Sequence, residues 1–302
     1  MGARKLLEPA LLAPGARVAV VAPSGNFDPD RLRTGMDLVR DWGLVPVEAP
    51  NLHRRHRTTA GTVAERRADL RWALGDPDID AVWLARGGYG AAQLLDGLAD
   101  AVIDERPIIG FSDATALFCA LDRAGLGQRV HGPVLHSLAD LADADSQQAL
   151  RALLLEGRPS ALPGRLLCGP AIPVEAPVVG GNLCVLASLA GTPWALDGRD
   201  RIVLLEDIGE PAYKIDRMIT QLSCAGALSG LRGIALGTFT GCAVPAGVTW
   251  DLDALLVELL EPLGVPVLCG LPVGHGPRNR PFVHGAWGHL DPAEGLRVGL
   301  HP

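Results

Sequence analysis

Aromatic residues make up only 4% of this 302-residue chain, so whatever core it builds must be aliphatic, packed from Ala, Leu, Val and Gly. No apolar run approaches the ~18 uninterrupted residues of a membrane-crossing helix. The six cysteines (Cys119, Cys168, Cys184, Cys224, Cys242 and Cys269) stand singly, without a CxxC pair or zinc-ligand spacing. That argues against a disulfide scaffold or zinc module and fits a reducing compartment. Basic charge is also scarce: 27 Lys and Arg face 34 Asp and Glu, a net −7, which argues against a general nucleic-acid binder. The one basic cluster, Arg54, Arg55, His56 and Arg57, reads as a solvated loop. Near the N-terminus, Glu8 and two prolines interrupt the leucines, so no leader is expected. Position 6 is Leu where a myristoylation motif carries Ser or Thr. The expectation is a cytoplasmic protein that neither enters membranes nor binds nucleic acid.

With 48% hydrophobic residues, a sizeable core is expected. The first half alternates short apolar strands with amphipathic helices. RVAVVAPSG leads into DPDRLRTGMDLVRDWGL; VPVEAP precedes TVAERRADLRWALGD; IDAVWLARGGYG precedes a helical AAQLLDGL; PIIGF precedes SDATALFCALDRAG. This βα rhythm implies a parallel sheet covered on both faces, with ligands beyond the carboxyl ends of its strands. A Pro- and Gly-rich stretch then marks a junction, placing an N-terminal domain at 1–157, a linker at 158–177 and a C-terminal domain at 178–302. In the second half, GGNLCVLASLAG reads as a loop and helix, RIVLLEDIG as a strand, and VPVLCGLPVGH as a strand entering a loop.

The segment IIGFSDATALF carries the strongest chemical signal. Ser112 sits where a buried strand turns sharply into a helix, which would lift its hydroxyl above the sheet, with the Asp113 amide as an oxyanion donor. By itself this serine reads first as an ordinary helix N-cap, which is what a serine before a helix usually is. In ARGGYG, Gly87 and Gly88 let the backbone approach a ligand, and Arg86 could grip a carboxylate; an ordinary βα turn is the alternative. Glu206 ends an apolar strand, where a group orienting a histidine would stand, with Asp207 as its rival. His275, between glycines in a loop, suits a base near neutral pH. His131 and His136 are competitors, whereas His284 falls in a strand and reads as packed. GGYG is too short for a dinucleotide fingerprint, and neither a P-loop nor HExxH occurs. No cofactor or metal is therefore expected.

Together these segments resemble the LD-carboxypeptidase family of murein tetrapeptide carboxypeptidases and their microcin-immunity relatives. The similarity rests on VAPSG, ADLRWALGDPDIDAVWLARGGYGAAQLL, IIGFSDATAL, HGPV, GGNLCVLASLAGTP, LLEDIGEPAYKIDRMITQL and GHGPRNRPFVHGA, in the family's order over nearly the whole chain. The resemblance implies an α/β fold, with a flavodoxin-like parallel-sheet N-terminal domain and a smaller mixed α/β C-terminal domain. It implies Ser112, Glu206 and His275 as the serine, glutamate and histidine, with oxyanion amides at Asp113 and at Gly87 and Gly88. It implies release of C-terminal D-alanine from a muropeptide, a small peptide substrate, by a homodimeric enzyme. A peptidyl-nucleotide antibiotic is the substrate of the immunity relatives and the alternative here. Asn182 matches a family position and could either bind substrate or cap the next helix.

Overall fold

The computed structural model describes residues 12–299. The first eleven positions, on which the expectation of no leader or lipid anchor largely rests, lie outside the described residues. The first half follows the βα rhythm. Strands β1 (Arg17–Val21), β2 (Val45–Glu48), β3 (Ala81–Leu84), β4 (Pro107–Gly110) and β5 (Gln128–His131) form a parallel sheet ordered β5-β4-β3-β1-β2. Every residue of β3 and β4 is buried, as expected of strands covered on both faces.

Helices α1 (Pro29–Asp41), α2 (Val63–Gly75) and α3 (Ala114–Ala124) connect these strands. Local chemistry starts the first two. The Asp28 carboxylate accepts from the Asp30 and Arg31 amides, and Thr62 and Glu65 form a reciprocal capping box. AAQLLDGL is not the helix its composition predicts: only a 3-10 turn forms at Ala91–Leu94, since Gly97 leaves the right-handed region at φ +68°. After β5 come a single turn, α4 (Leu135–Leu138), and α5 (Ala144–Glu156).

The second half contributes β6 (Ala161–Leu162), β7 (Arg165–Cys168), β8 (Val174–Asn182), α6 (Leu183–Ser188), β9 (Ile202–Ile208), α7 (Ala212–Cys224), β10 (Gly233–Thr240), α8 (Leu252–Leu260), β11 (Val267–Cys269), β12 (Phe282–His284), β13 (Trp287–Asp291) and β14 (Gly295–Val298). Its sheet runs β6-β14-β13-β8-β9-β10-β11-β7, with β8 to β11 parallel and both flanks antiparallel.

Two features amend the sequence expectation. Residues 158–177 are not a free linker, for they supply β6, β7 and the start of β8. Pro159, Pro163, Pro170 and Pro173 fall outside these strands, where no ladder needs their N–H, and only Pro177 lies within one, β8. In addition, β12 returns to the first sheet and pairs antiparallel with β5. A buried ionic cluster fastens this crossing. Asp122 at the end of α3 accepts from Arg129 at 3.3 Å and from Arg201, and Arg129 Nε reaches His284 Nδ1 at 3.3 Å. Among the described residues no helix is long and apolar enough to cross a membrane.

Candidate active site

Ser112 follows the carboxyl end of β4, and His275 follows that of β11, each a parallel strand of its own sheet. Between the end of β4 and the start of α3 the chain must reverse within three residues, and Ser112 takes the left-handed conformation, φ +64°, to do so. A non-glycine residue held there is strained, and the surrounding contacts must enforce it. Its hydroxyl does not cap α3, whose N-cap residue is Asp113 and which has no side-chain cap. Instead Ser112 Oγ lies 3.0 Å from His275 Nε2, and His275 Nδ1 lies 2.7 Å from Glu206 Oε2.

Glu206 is completely buried, and its second oxygen, Oε1, has no hydrogen-bond partner among the described residues. With a carboxylate at Nδ1, the imidazole keeps its proton on that nitrogen and turns the Nε2 lone pair towards Ser112. The ring packs on Phe111, centroids 4.8 Å apart.

The loop after β11 is shaped for this contact. A Cβ on Gly274, at φ +121°, would sit 2.7 Å from both Glu206 Oε2 and Thr238 Oγ1, so only glycine lets the loop lie against the carboxylate. A bulge in β10 between Leu236 and Phe239 brings the Val273 carbonyl so close that a Cβ on Gly237 would fall 2.4 Å from it. Further on, Gly274 N donates to Asn279 Oδ1 at 3.1 Å, and Asn279 N donates to Ser146 Oγ at 3.0 Å. The histidine loop is thereby pinned to α5 of the other half.

The glycine turn is equally tight. A Cβ on Gly87 would be 2.8 Å from Ser112 Cβ, and Gly87 O accepts from Gly25 N at 3.0 Å. The amides of Gly87, Gly88 and Asp113 take part in no hydrogen bond among the described residues, so all three remain available as donors. Arg86 is exposed, with Nη1 donating to the Asn26 carbonyl at the rim of this turn.

Of the two roles open to Asn182, substrate contact or helix cap, its side chain takes the cap. Its Oδ1 accepts from Val185 N, capping α6, and its Nδ2 donates to Asp207 Oδ1 at 3.1 Å. Asp207 also accepts from Cys184 N at 3.0 Å, so it serves the start of α6 while Glu206 faces the histidine.

The competing histidines are packed. His131 is fully buried, stacks on Phe282 at 4.8 Å, and is pushed down to about 3 by burial and by neighbouring His275. His284, on β12, is pushed down to about 3 by burial and the Arg129 charge. Burial, helped by Arg31 and Arg86, also lowers His136. Among the described residues no group of three His, Cys, Asp or Glu is arranged to hold a metal.

Comparison with known proteins agrees with this architecture. Residues 18–132 match the LD-carboxypeptidase N-terminal domain, and residues 175–290 match the LD-carboxypeptidase C-terminal domain. This chain belongs to the LD-carboxypeptidase family. A murein tetrapeptide carboxypeptidase from Pseudomonas aeruginosa is 37% identical over 281 residues, covering 89% of this chain and 91% of that protein. A Streptomyces coelicolor protein whose carboxypeptidase name is itself provisional is 42% identical, covering 90% and 89%. The crystal structure of muramoyltetrapeptide carboxypeptidase from Oxalobacter formigenes superposes with TM-score 0.82 at 27% identity, covering 95% of this chain and 100% of that one. The microcin C7 self-immunity protein bound to glutamyl sulfamoyl guanosine shares the fold, with TM-score 0.86 at 21% identity, covering 98% and 99%. As a member of the LD-carboxypeptidases the chain is a serine-type carboxypeptidase.

Three groups of this LD-carboxypeptidase site escaped the sequence reading. Phe111 reads as core, and Asn279 reads as loop polarity. Arg66 carried a faint signal, a basic residue on the apolar side of an amphipathic helix, and it proves to be 2% exposed.

Proposed function

We propose that this enzyme hydrolyses the L,D-amide bond of murein tetrapeptides and releases C-terminal D-alanine in the cytoplasm. The hydrogen-bonded line from Ser112 through His275 to Glu206 carries the proposal, in a chain so similar to a murein tetrapeptide carboxypeptidase. His275 Nε2 takes the hydroxyl proton as Ser112 Oγ attacks the carbonyl of the diamino acid. Glu206 fixes the ring tautomer and balances the imidazolium that forms. The oxyanion rests on the Asp113 amide and those of the glycine turn, each worth roughly 3 kcal/mol of barrier by the precedent of measured oxyanion holes. His275 then hands its proton to the departing D-alanine amine, and water, activated by the same ring, resolves the acyl-enzyme. Arg86 stands at the rim of the turn with its charge available to a terminal carboxylate.

The test is to incubate the purified protein with L-Ala-γ-D-Glu-meso-diaminopimelate-D-Ala and follow free D-alanine by mass spectrometry, beside Ser112→Ala. Release by the parent and not by the variant is expected. If the folded parent leaves the tetrapeptide intact but cleaves an aminoacyl-sulfamoyl nucleotide, the substrate assignment passes to the peptidyl-nucleotide class.

A further inference from the structure

The glycine turn beside Ser112 has two ends, and the structure shows how each is held. At the first, Gly25 N donates to Gly87 O at 3.0 Å. In a trans peptide the N–H points opposite to the C=O, so this bond turns the Gly88 amide away from Gly25. At the second end, the Gly90–Ala91 peptide unit is gripped from both sides. Gly90 O accepts from Arg66 Nη1 at 2.9 Å, while Ala91 N donates to Asp113 Oδ2 at 2.8 Å.

Arg66 and Asp113 are both buried, at 2% and 4% exposure. The guanidinium of Arg66 also donates to the carbonyls of Pro23 and Gly61 and to Gln93 Oε1. It thus joins the loop after β1, the start of α2 and the turn after β3 at one point. The fit is close enough that a Cβ on Gly90, at φ +130°, would lie 2.7 Å from Arg66 Nη1. Asp113 is the residue that follows the nucleophile, so its carboxylate links the serine elbow directly to the turn. Burial raises the Asp113 carboxyl, opposed by the Ser24 hydroxyl, the Ala91 amide and the Arg66 charge.

We propose that the side chains of Arg66 and Asp113 are positioning residues for the oxyanion site, holding one peptide unit between a cation and an anion so that the glycine-turn amides stay aimed at Ser112. The proposal rests on the reading that those amides receive the oxyanion. Neither side chain touches substrate. Their work is to remove freedom from a turn whose three glycines would otherwise let it swing.

The experiment compares the parent with Arg66→Met, Arg66→Lys, Asp113→Ala and Asp113→Asn, each checked for a cooperative thermal transition. Two rates are followed: D-alanine release from the tetrapeptide, and phosphonylation of Ser112 by an alkyl fluorophosphonate, read by intact mass. Arg66→Met and Asp113→Ala should lower kcat at least tenfold with KM within about twofold, and should slow phosphonylation in parallel. Arg66→Lys keeps the charge without the fork and should show the same split. Asp113→Asn, which still offers an oxygen to Ala91, should recover part of the loss seen in Asp113→Ala. Variants that melt earlier yet keep the parental kcat and phosphonylation rate per folded molecule would make the pair merely structural and overturn the proposal. A parent that is phosphonylated but spares the tetrapeptide removes only the murein reading, because the phosphonylation rates still decide the positioning.

Discussion

Replacing Glu206 by glutamine preserves shape and removes one charge, and the structure dictates which way the new amide will face. Glu206 is fully buried, with Oε2 bonded to His275 and Oε1 without a partner among the described residues. If the glutamine turns its oxygen to His275, its NH₂ occupies the partnerless side, and an unpaired buried donor costs about 1–3 kcal/mol. If the NH₂ faces His275, it donates to Nδ1, and the vacant side receives only an oxygen, as it does in the parent. The second orientation is favoured by that same 1–3 kcal/mol. It forces the ring proton onto Nε2, where the imidazole can no longer accept from Ser112. The corresponding exchange in the Ser-His-Asp template costs about 10⁴ in kcat, or roughly 5 kcal/mol of barrier. Glu206→Gln should therefore lower D-alanine release about 10³–10⁴-fold at saturating tetrapeptide, with KM little changed. Thermal melting should stay near the parent's. A folded variant within tenfold of the parental kcat would refute the tautomer argument.

Gly87 has an ordinary φ, so Gly87→Ala tests space alone: the new Cβ would meet Ser112 Cβ at 2.8 Å, about 1 Å inside normal contact. Overpacking should cost about 1–3 kcal/mol of stability, and displacing the nucleophile should lower kcat about 100-fold; unchanged turnover in steady-state assays would count against the crowding. His131 and His284 are both pushed down to about 3 in the folded protein, against about 6.5 in an unfolded chain. As pH falls through about 6.5 the unfolded state binds these protons first. Stability is therefore full above that pH and is lost towards pH 3, at about 1.4 kcal/mol per unit for each histidine. Denaturant melts at about pH 7.5, 6 and 5 should show the decline. His131→Phe, which keeps an aromatic face for Phe282, should remove part of it, and equal slopes in variant and parent would clear His131.

Candidate residues for the site could be marked in the chain because their signals are local, and the family resemblance chose among them. A serine between a buried strand and a helix, paired glycines after another strand, and a histidine between glycines are short-range patterns. Each marks a candidate from its neighbours along the chain and leaves an ordinary structural alternative open. The alternation of β1 to β4 with their helices is likewise periodic, and the apolar runs of β3 and β4 announce burial on both faces.

Other features depended on partners far away in sequence. Whether Ser112 capped a helix or faced a base could be decided only by bringing in His275, 163 positions later. Glu206 and Asp207 are adjacent acids on one strand, and only the positions of α6 and of the His275 loop show which serves which. The edge strands inside 158–177 and the return of β12 to the first sheet follow from which ladders were left open, a property of the assembled sheets. Arg66 is the clearest case: one long side chain reaches carbonyls after β1, before α2 and after β3. No sequence period encodes such a meeting, because it exists only once three separate segments have packed around the same guanidinium.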